Sequence, residues 1–428
     1  MIWSSYDTWI VLVSALAAIN CALLGNFLLL RRLSMMGDAI SHAVLPGLAM
    51  ALWISGTVEP FTMLIGAAVV GVLTSLLIQA VSRGGKVDEG ASMGVVFTSL
   101  FAVGLVFIRF VADTNHIDLD PDCVLFGQLA QAPLHTTDLL GWIVPRAAVV
   151  LAIMLVVNAL FVGLLFKELR ITAFDPQLAD TLGIKSSVMH YATMTLVAMT
   201  AVAAFESVGS ILVVALLIAP PAAASLVANR LGTLVLGSLA FAVAAAVLGH
   251  LLSTTLPSLA AESWQTNGAG MTAVVAGLLF AAVLLAEPRR GVIARWQRRR
   301  RLALRIAEED WLTHLLRREE HRTDLILPVP ARGRVGRAAK RKLQASGRIR
   351  WSDSGPILTD TGRRTAKKLL RSHRLWERFM TDQAGVRPDH THNSAEQLEH
   401  VTDDEMREAL ARQSGGEVDP HGREIPRG

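Results

Sequence analysis

The chain has 428 residues, 52% of them hydrophobic and 18% charged, with 41 Lys plus Arg against 36 Asp plus Glu and a formal net charge of +5. Its mean hydropathy of +0.43 is concentrated before residue 288 in runs long enough to cross a bilayer. This excludes a soluble fold for that part and indicates a polytopic membrane protein. The two cysteines, Cys21 and Cys123, form no motif, which argues against a disulfide framework and against a thiolate metal site.

In chain order the apolar runs predict about nine transmembrane helices, at 9–30, 38–55, 60–81, 92–112, 141–166, 188–205, 208–228, 232–253 and 268–286. The first run lacks a basic lead and outlasts a signal peptide, so it is expected to remain as a span. Basic residues fall on alternate loops: Arg31 and Arg32, Arg83 and Lys86, Lys167 and Arg170, Arg230, Arg289 and Arg290. With those loops inside, the amino end is expected outside and the carboxyl end in the cytoplasm, as in an inner-membrane, multi-pass protein.

The second span opens with "RRLSMMGDAISHAVLPGLAMA" (31–51), where Asp38 and His42 are i and i+4 and share a helix face. A carboxylate within a span costs about 2.5–3.5 kcal/mol on insertion scales and normally faces protein or a water path. An imidazole beside it makes half a site for Mn²⁺, Fe²⁺ or Zn²⁺, which a second subunit would complete. The competing reading is structural: Asp38 caps the first turn after Gly37, and His42 bonds a neighbour.

Farther on, "FDPQLADTLGI" (174–184) lies in the longest predicted inner loop. Its Asp175 precedes a short amphipathic helix with Ala179 and Gly183 four residues apart, on which a soluble partner could dock. Glu206, His190 and His250 read as satisfied interfacial residues, and Pro220 with Pro221 as a helix kink at a subunit interface. His116, Asp118, Asp120 and Asp122 lie in an acidic outer loop that reads as solvated.

These segments, with "DEGASMGVVFTSLFAVGL" (88–105), "VLFGQLAQ" (124–131) and "VGSILVVALLIAPPAAASL" (208–226), together resemble the metal-type ABC importer permeases over residues 5–287. The resemblance implies a transport or gate role for Asp38 and His42 and makes 174–184 the loop that couples to an ATPase. It also implies a separate ATPase subunit, an extracytoplasmic metal-binding protein, and a second permease copy or paralogue. No G-x-x-x-x-G-K-[ST] loop occurs in the sequence, so the chain is expected to be a transport subunit without ATPase activity of its own.

After Glu287 the hydrophobic runs stop. "RRGVIARWQRRRR" (289–301) reads as a basic collar for anionic headgroups, and a charged domain follows. The expected organisation is a permease at 1–287, a juxtamembrane linker at 288–306, a degenerate winged-helix-like segment at 307–354 and a mainly helical cytoplasmic domain at 355–428. In that last domain His373 and Glu377 are i and i+4, and Glu396, Glu399 and His400 are placed on one helical face with His392 upstream. Carboxylates and imidazoles at this density suit one or two divalent cations, although such a cluster alone could be a solvated face.

"LTDTGRRTAKKLLRSHRLWERFM", "AEQLEHVTDDEMREAL" and "DPHGREIP" resemble the metal-binding and dimerisation region of the iron- and manganese-dependent repressors related to the diphtheria toxin repressor. That resemblance makes His373, Glu377, His392, Glu396, Glu399 and His400 metal-ligand positions. In it, Glu at 396 favours Mn²⁺, with Fe²⁺ or Zn²⁺ as alternatives. "AEEDWLTHLLRREE" (307–320) adds Asp310 as a ligand, but Thr313 stands where a carboxylate is expected. The winged segment is short and carries two prolines in place of its first helix. Phosphate contact through Arg337, Lys340, Arg341 or Lys342 is therefore set against an expected loss of specific DNA binding. The reading is an ATP-driven permease for divalent transition metals with a cytoplasmic metal sensor. Its rivals are a membrane-tethered metal-dependent transcription regulator and a gradient-driven carrier.

Overall fold

The computed structural model describes residues 3–56, 59–115, 127, 129–139, 141–260, 266–320, 333–353 and 355–426. They form two compact units, Met1–Ala294 and Arg295–Gly428. Among the described residues nine helices are long and apolar enough to cross a membrane. They match the predicted spans to within a few residues, because length and hydropathy alone set that signal.

The first unit is built around α1 (Ser5–Leu30), which is buried along most of its length. Packed on it are α6 (Arg146–Leu164), α9 (Ser186–Val208), α10 (Ser210–Val227) and α11 (Leu231–Ala260). Five buried polar side chains knit these helices where lipid offers no partner: Asn158 donates to Asn20 at 2.9 Å and to Thr200 at 2.8 Å, and Asn26 donates to Ser238 at 2.7 Å. Such intramembrane bonds contribute on average about 0.6 kcal/mol each. At Gly25 the α1 backbone meets that of α10: an added Cβ would lie 2.1 Å from the Leu217 carbonyl oxygen. Pro221 is the residue whose missing N–H leaves that carbonyl without its helical donor. Pro220 and Pro221 are thus buried inside the chain, where the sequence had suggested a subunit interface.

The second span is two helices, α2 (Ser34–Ala43) and α3 (Leu45–Ser55), separated at Val44. Pro46 cannot donate to a carbonyl one turn back, so the helix breaks there. Next come α4 (Pro60–Gly85) and α5 (Glu89–Asn115). Gly47 of α3 and Gly66 of α4 approach so closely that a Cβ on either would lie 2.5 Å from the other's carbonyl oxygen. The fifth span departs from expectation at its start. β1 (Thr136–Leu139) and β2 (Trp142–Pro145) pair antiparallel, and the helix begins only at Arg146. Proline lacks the N–H that a helix interior needs and is tolerated at its start. Between α6 and α9 lie two short helices, α7 (Phe166–Phe174) and α8 (Pro176–Thr181), and α12 (Gly268–Ala286) ends the unit's spans.

In the second unit α13 (Val292–Glu320), whose first residues belong to the first unit, leads to α14 (Arg334–Ala345) and an antiparallel hairpin of β3 (Ile349–Ser352) and β4 (Gly355–Leu358). Helices α15 (Asp360–Asp382), α16 (Pro388–Leu398) and α17 (Asp404–Ser414) follow, with a 3₁₀ turn at Glu399–Val401. Trp311, Leu312, Leu315, Leu343, Ile349 and Leu370 form its core. A helix and a hairpin thus follow residue 333 in the segment read as degenerate winged-helix-like; Pro328 and Pro330 lie outside the described residues.

Candidate functional site

Asp38 lies inside α2, because the helix starts at Ser34 with Leu33 at its N-cap; it does not cap the first turn. Its Oδ1 is 3.4 Å from His42 Nε2, and the two side chains are 44% and 26% exposed. Met36 and Ile40, on another face of the helix, are fully buried. The His42 ring leans on Phe97 and Phe101 of α5, with centroids 6.4 and 5.7 Å away. Among the described residues no third His, Asp, Glu or Cys joins this pair, so it remains half a ligand set.

The loop at 174–184 is a built turn. Asp175 caps α8 by accepting from the Leu178 N–H at 3.0 Å. Gly183 has φ +83°, its N–H donates to Asp180 at 3.1 Å, and the Ile184 N–H donates to the Ala179 carbonyl at 3.0 Å. These bonds form a left-handed C-cap, which explains the Ala179–Gly183 spacing. The Ala179 methyl is buried, while Phe174, Leu178 and Leu182 are exposed. An apolar ridge at spacing four on a short polar-flanked helix suits a protein partner.

Away from Asp38 and His42, His250 Nε2 is 3.0 Å from Asp7 Oδ1 and its ring meets Trp3, so it is satisfied within the chain, as its position suggested. The side chain of Glu206, and His116, Asp118, Asp120 and Asp122, lie outside the described residues.

The ligand-type residues of the second unit resolve into two clusters. His373 Nε2, Glu377 Oε1 and His392 Nδ1 form a triangle with edges of 3.1, 3.0 and 3.0 Å. Adjacent ligands of a six-coordinate ion, on bonds of about 2.1 Å, lie about 3.0 Å apart. The triangle therefore fits one face of an octahedral N/O site of the kind that Mn²⁺ accepts. His373 Nδ1 meets Glu399 Oε2 at 2.7 Å, the carboxylate support that orients a ligating imidazole. Burial opposes the charged ring, yet Glu377 and Glu399 outweigh it and raise the His373 pKa. A cation needs the neutral ring, so it would compete with a proton at this imidazole.

The second cluster centres on His400, whose Nδ1 is 2.7 Å from Glu309 Oε2 and whose Nε2 is 3.2 Å from Asp310 Oδ1. Burial would lower its pKa, but Asp310 and Glu309 push it up to about 10. Glu399 and His400 are neighbours that serve different clusters, because the 3₁₀ turn ends the regular face on which the sequence grouped them. Glu396 is exposed on α16 and joins neither cluster. Glu309 is the residue sequence reasoning missed. It stands one turn before Thr313, whose hydroxyl donates to the Glu309 carbonyl at 3.0 Å, and supplies a carboxylate from the adjacent turn.

Two of the four cations considered for phosphate contact are engaged within the unit. The Lys340 ammonium lies 4.0 Å over the Trp311 ring, and Lys342 pairs with Glu308 at 2.7 Å. Arg337 and Arg341 remain exposed.

Residues 5–286 match the family model "ABC 3 transport family", and residues 359–427 match "Iron dependent repressor, metal binding and dimerisation domain". The manganese transport system membrane protein MntD of Bacillus subtilis is 38% identical over 292 residues, spanning 68% of this chain and 95% of that one. The zinc transport system membrane protein TroD of Treponema pallidum is 38% identical over 286 residues, 67% of this chain and 75% of that one. The solved PsaBC from Streptococcus pneumoniae, in complex with Fab, superimposes with a TM-score of 0.56 at 26% identity, covering 69% of this chain and 95% of that one.

Proposed function

The chain belongs to the ABC 3 transport family, and from that premise we propose that it is the permease subunit of an ATP-driven importer of divalent transition metals, Mn²⁺ first, with a metal-sensing domain at its carboxyl end. Relatives that carry manganese and zinc in their names support the cargo class. The observation that carries the reading is the Asp38–His42 pair: two ligand-type side chains on a membrane helix, 3.4 Å apart and partly open. A second permease copy or paralogue completes the set across an interface.

The amino end faces outside, where a binding protein delivers the ion, and the second unit lies in the cytoplasm, following the distribution of basic loops. A separate ATPase docks on the exposed Phe174, Leu178 and Leu182 around α8. His373, Glu377 and His392 would hold the sensor metal, which would supply a Lewis-acidic cross-link between them. The chain's own part is to hold His373 by Glu399 and to join α15 to α16 through that triangle. Occupancy of that site, in the same polypeptide as the proposed gate, would bias the resting state.

Uptake of radiolabelled Mn²⁺ by the intact chain and by Asp38→Ala, each with its ATPase and binding protein, tests the transport role. Uptake that needs both Asp38 and ATP hydrolysis supports it, and normal uptake by the variant removes Asp38 from the path. Unchanged metal dependence of uptake after deletion of 303–428 would sink the sensor.

A further inference from the structure

Helix α1 ends in a hydrogen-bonded elbow. Arg32 adopts φ +60°, its N–H donates to Leu29 at 3.0 Å, and the Leu33 N–H donates to Leu28 at 2.8 Å. This is the left-handed cap usually given to glycine, a conformation that strains an L side chain. The elbow fixes how α2, with Asp38 and His42, leaves the end of α1: Leu33 is at once the last bonded residue of the cap and the N-cap of α2.

The Arg31 side chain points from this elbow to the helix that precedes the docking loop. Its Nη2 donates to Thr172 Oγ1 at 2.7 Å, and the Thr172 hydroxyl in turn donates to the Glu168 carbonyl at 2.9 Å. Thr172 is buried and lies on α7, which passes into α8 through Asp175 alone. Around it are three buried polar atoms with no hydrogen-bond partner: Arg31 Nε, Glu168 Oε2 and His190 Nε2. Glu168 is one turn before Thr172. The guanidinium therefore has a free donor, and a carboxylate acceptor stands one helical turn from the acceptor in use. Leaving such groups unpaired is costly, so the arrangement favours two discrete partners over a continuum.

We propose that Arg31 is a positioning residue that couples the ATPase-facing segment α7–α8 to the gate helix α2, held by Thr172 in this state and by Glu168 after α7 moves by about one turn, roughly 5.4 Å. This rests on the reading of 174–184 as the ATPase contact. Arg31 touches no metal; it transmits displacement.

The test uses the whole importer in proteoliposomes and reads ATP hydrolysed per Mn²⁺ delivered, a ratio that a merely structural role leaves unchanged. Thr172→Val keeps the shape and removes the acceptor, and it should raise the ratio at least tenfold while ATP hydrolysis persists. Thr172→Ser restores the hydroxyl and should return the ratio to within about twofold of the parent. Glu168→Gln keeps the Thr172 contact and should slow uptake without loss of assembled complex. Normal coupling in Thr172→Val, or equal uncoupling in Thr172→Ser and Thr172→Val, overturns the proposal. If Thr172→Val fails to assemble, Arg31→Lys takes its place, because it keeps the charge without the forked geometry; normal coupling there also overturns the proposal. Absence of ATP-dependent uptake in the parent importer would instead refute the transport reading itself.

Discussion

The two ligand sets of this chain differ in completeness. On α2, Asp38 and His42 stand 3.4 Å apart, partly exposed, with no third ligand in the described chain. In the carboxyl-terminal unit, His373, Glu377 and His392 already form a closed triangle, and Glu399 fixes the ring of His373. Under the proposed function the path must release what it binds, so half a site on a subunit that moves would be an advantage. The proposed sensor must hold its ion long enough to report it, which a preorganised triangle with outer support would do.

The comparison breaks first at Asp38. Asp38→Ala should abolish uptake while Mn²⁺ binding by the carboxyl-terminal unit, counted in the full chain by the loss of free Mn²⁺ resonance signal, stays at the parent level. His373→Ala should do the converse. At metal 100-fold above its dissociation constant the intact site stabilises its unit by about 2.7 kcal/mol, and that gain, read as a metal-dependent rise in melting temperature, should vanish in the variant while uptake at low metal persists.

A smaller effect is expected at the supporting residue. Glu399→Gln leaves all three triangle atoms in place and should weaken Mn²⁺ binding by about 10–100-fold without abolishing it. Equal loss in Glu399→Gln and His373→Ala would make Glu399 a ligand in its own right. A separate effect is in pH. His400 is raised to about 10, above its ordinary value of about 6.5. Its contribution to stability is thus fully present below about 6.5 and is lost as pH rises through about 10. The metal-free unit should melt at lower temperature as pH increases over that window, and Asp310→Asn should flatten the dependence.

Legibility in the sequence followed the range of the forces involved. Spans were legible because each is a local sum of apolar residues, and His373 with Glu377 because i, i+4 is a local geometry. The hairpin at 136–145 was not: its second strand, Trp142–Pro145, lies inside what hydropathy alone extends into a span. Nor was the split between Glu399 and His400, which depends on a 3₁₀ turn ending α16 at Leu398. Glu309 could have been found, since it lies beside Asp310 and one turn from the Thr313 gap. Arg31 and Thr172 are 141 positions apart, and no periodicity announces that contact.

The backbone contact at Gly25 has a geometric consequence for α1. Seated directly on the Leu217 carbonyl, it divides the helix into unequal arms: at 1.5 Å per residue, about 9 Å to Arg31 and about 27 Å to Asp7. A rigid tilt of α1 about that fulcrum displaces the Asp7 end about three times as far as the Arg31 end. Such a tilt would act as a lever of about three to one between Arg31 and the pair formed by Asp7 and His250.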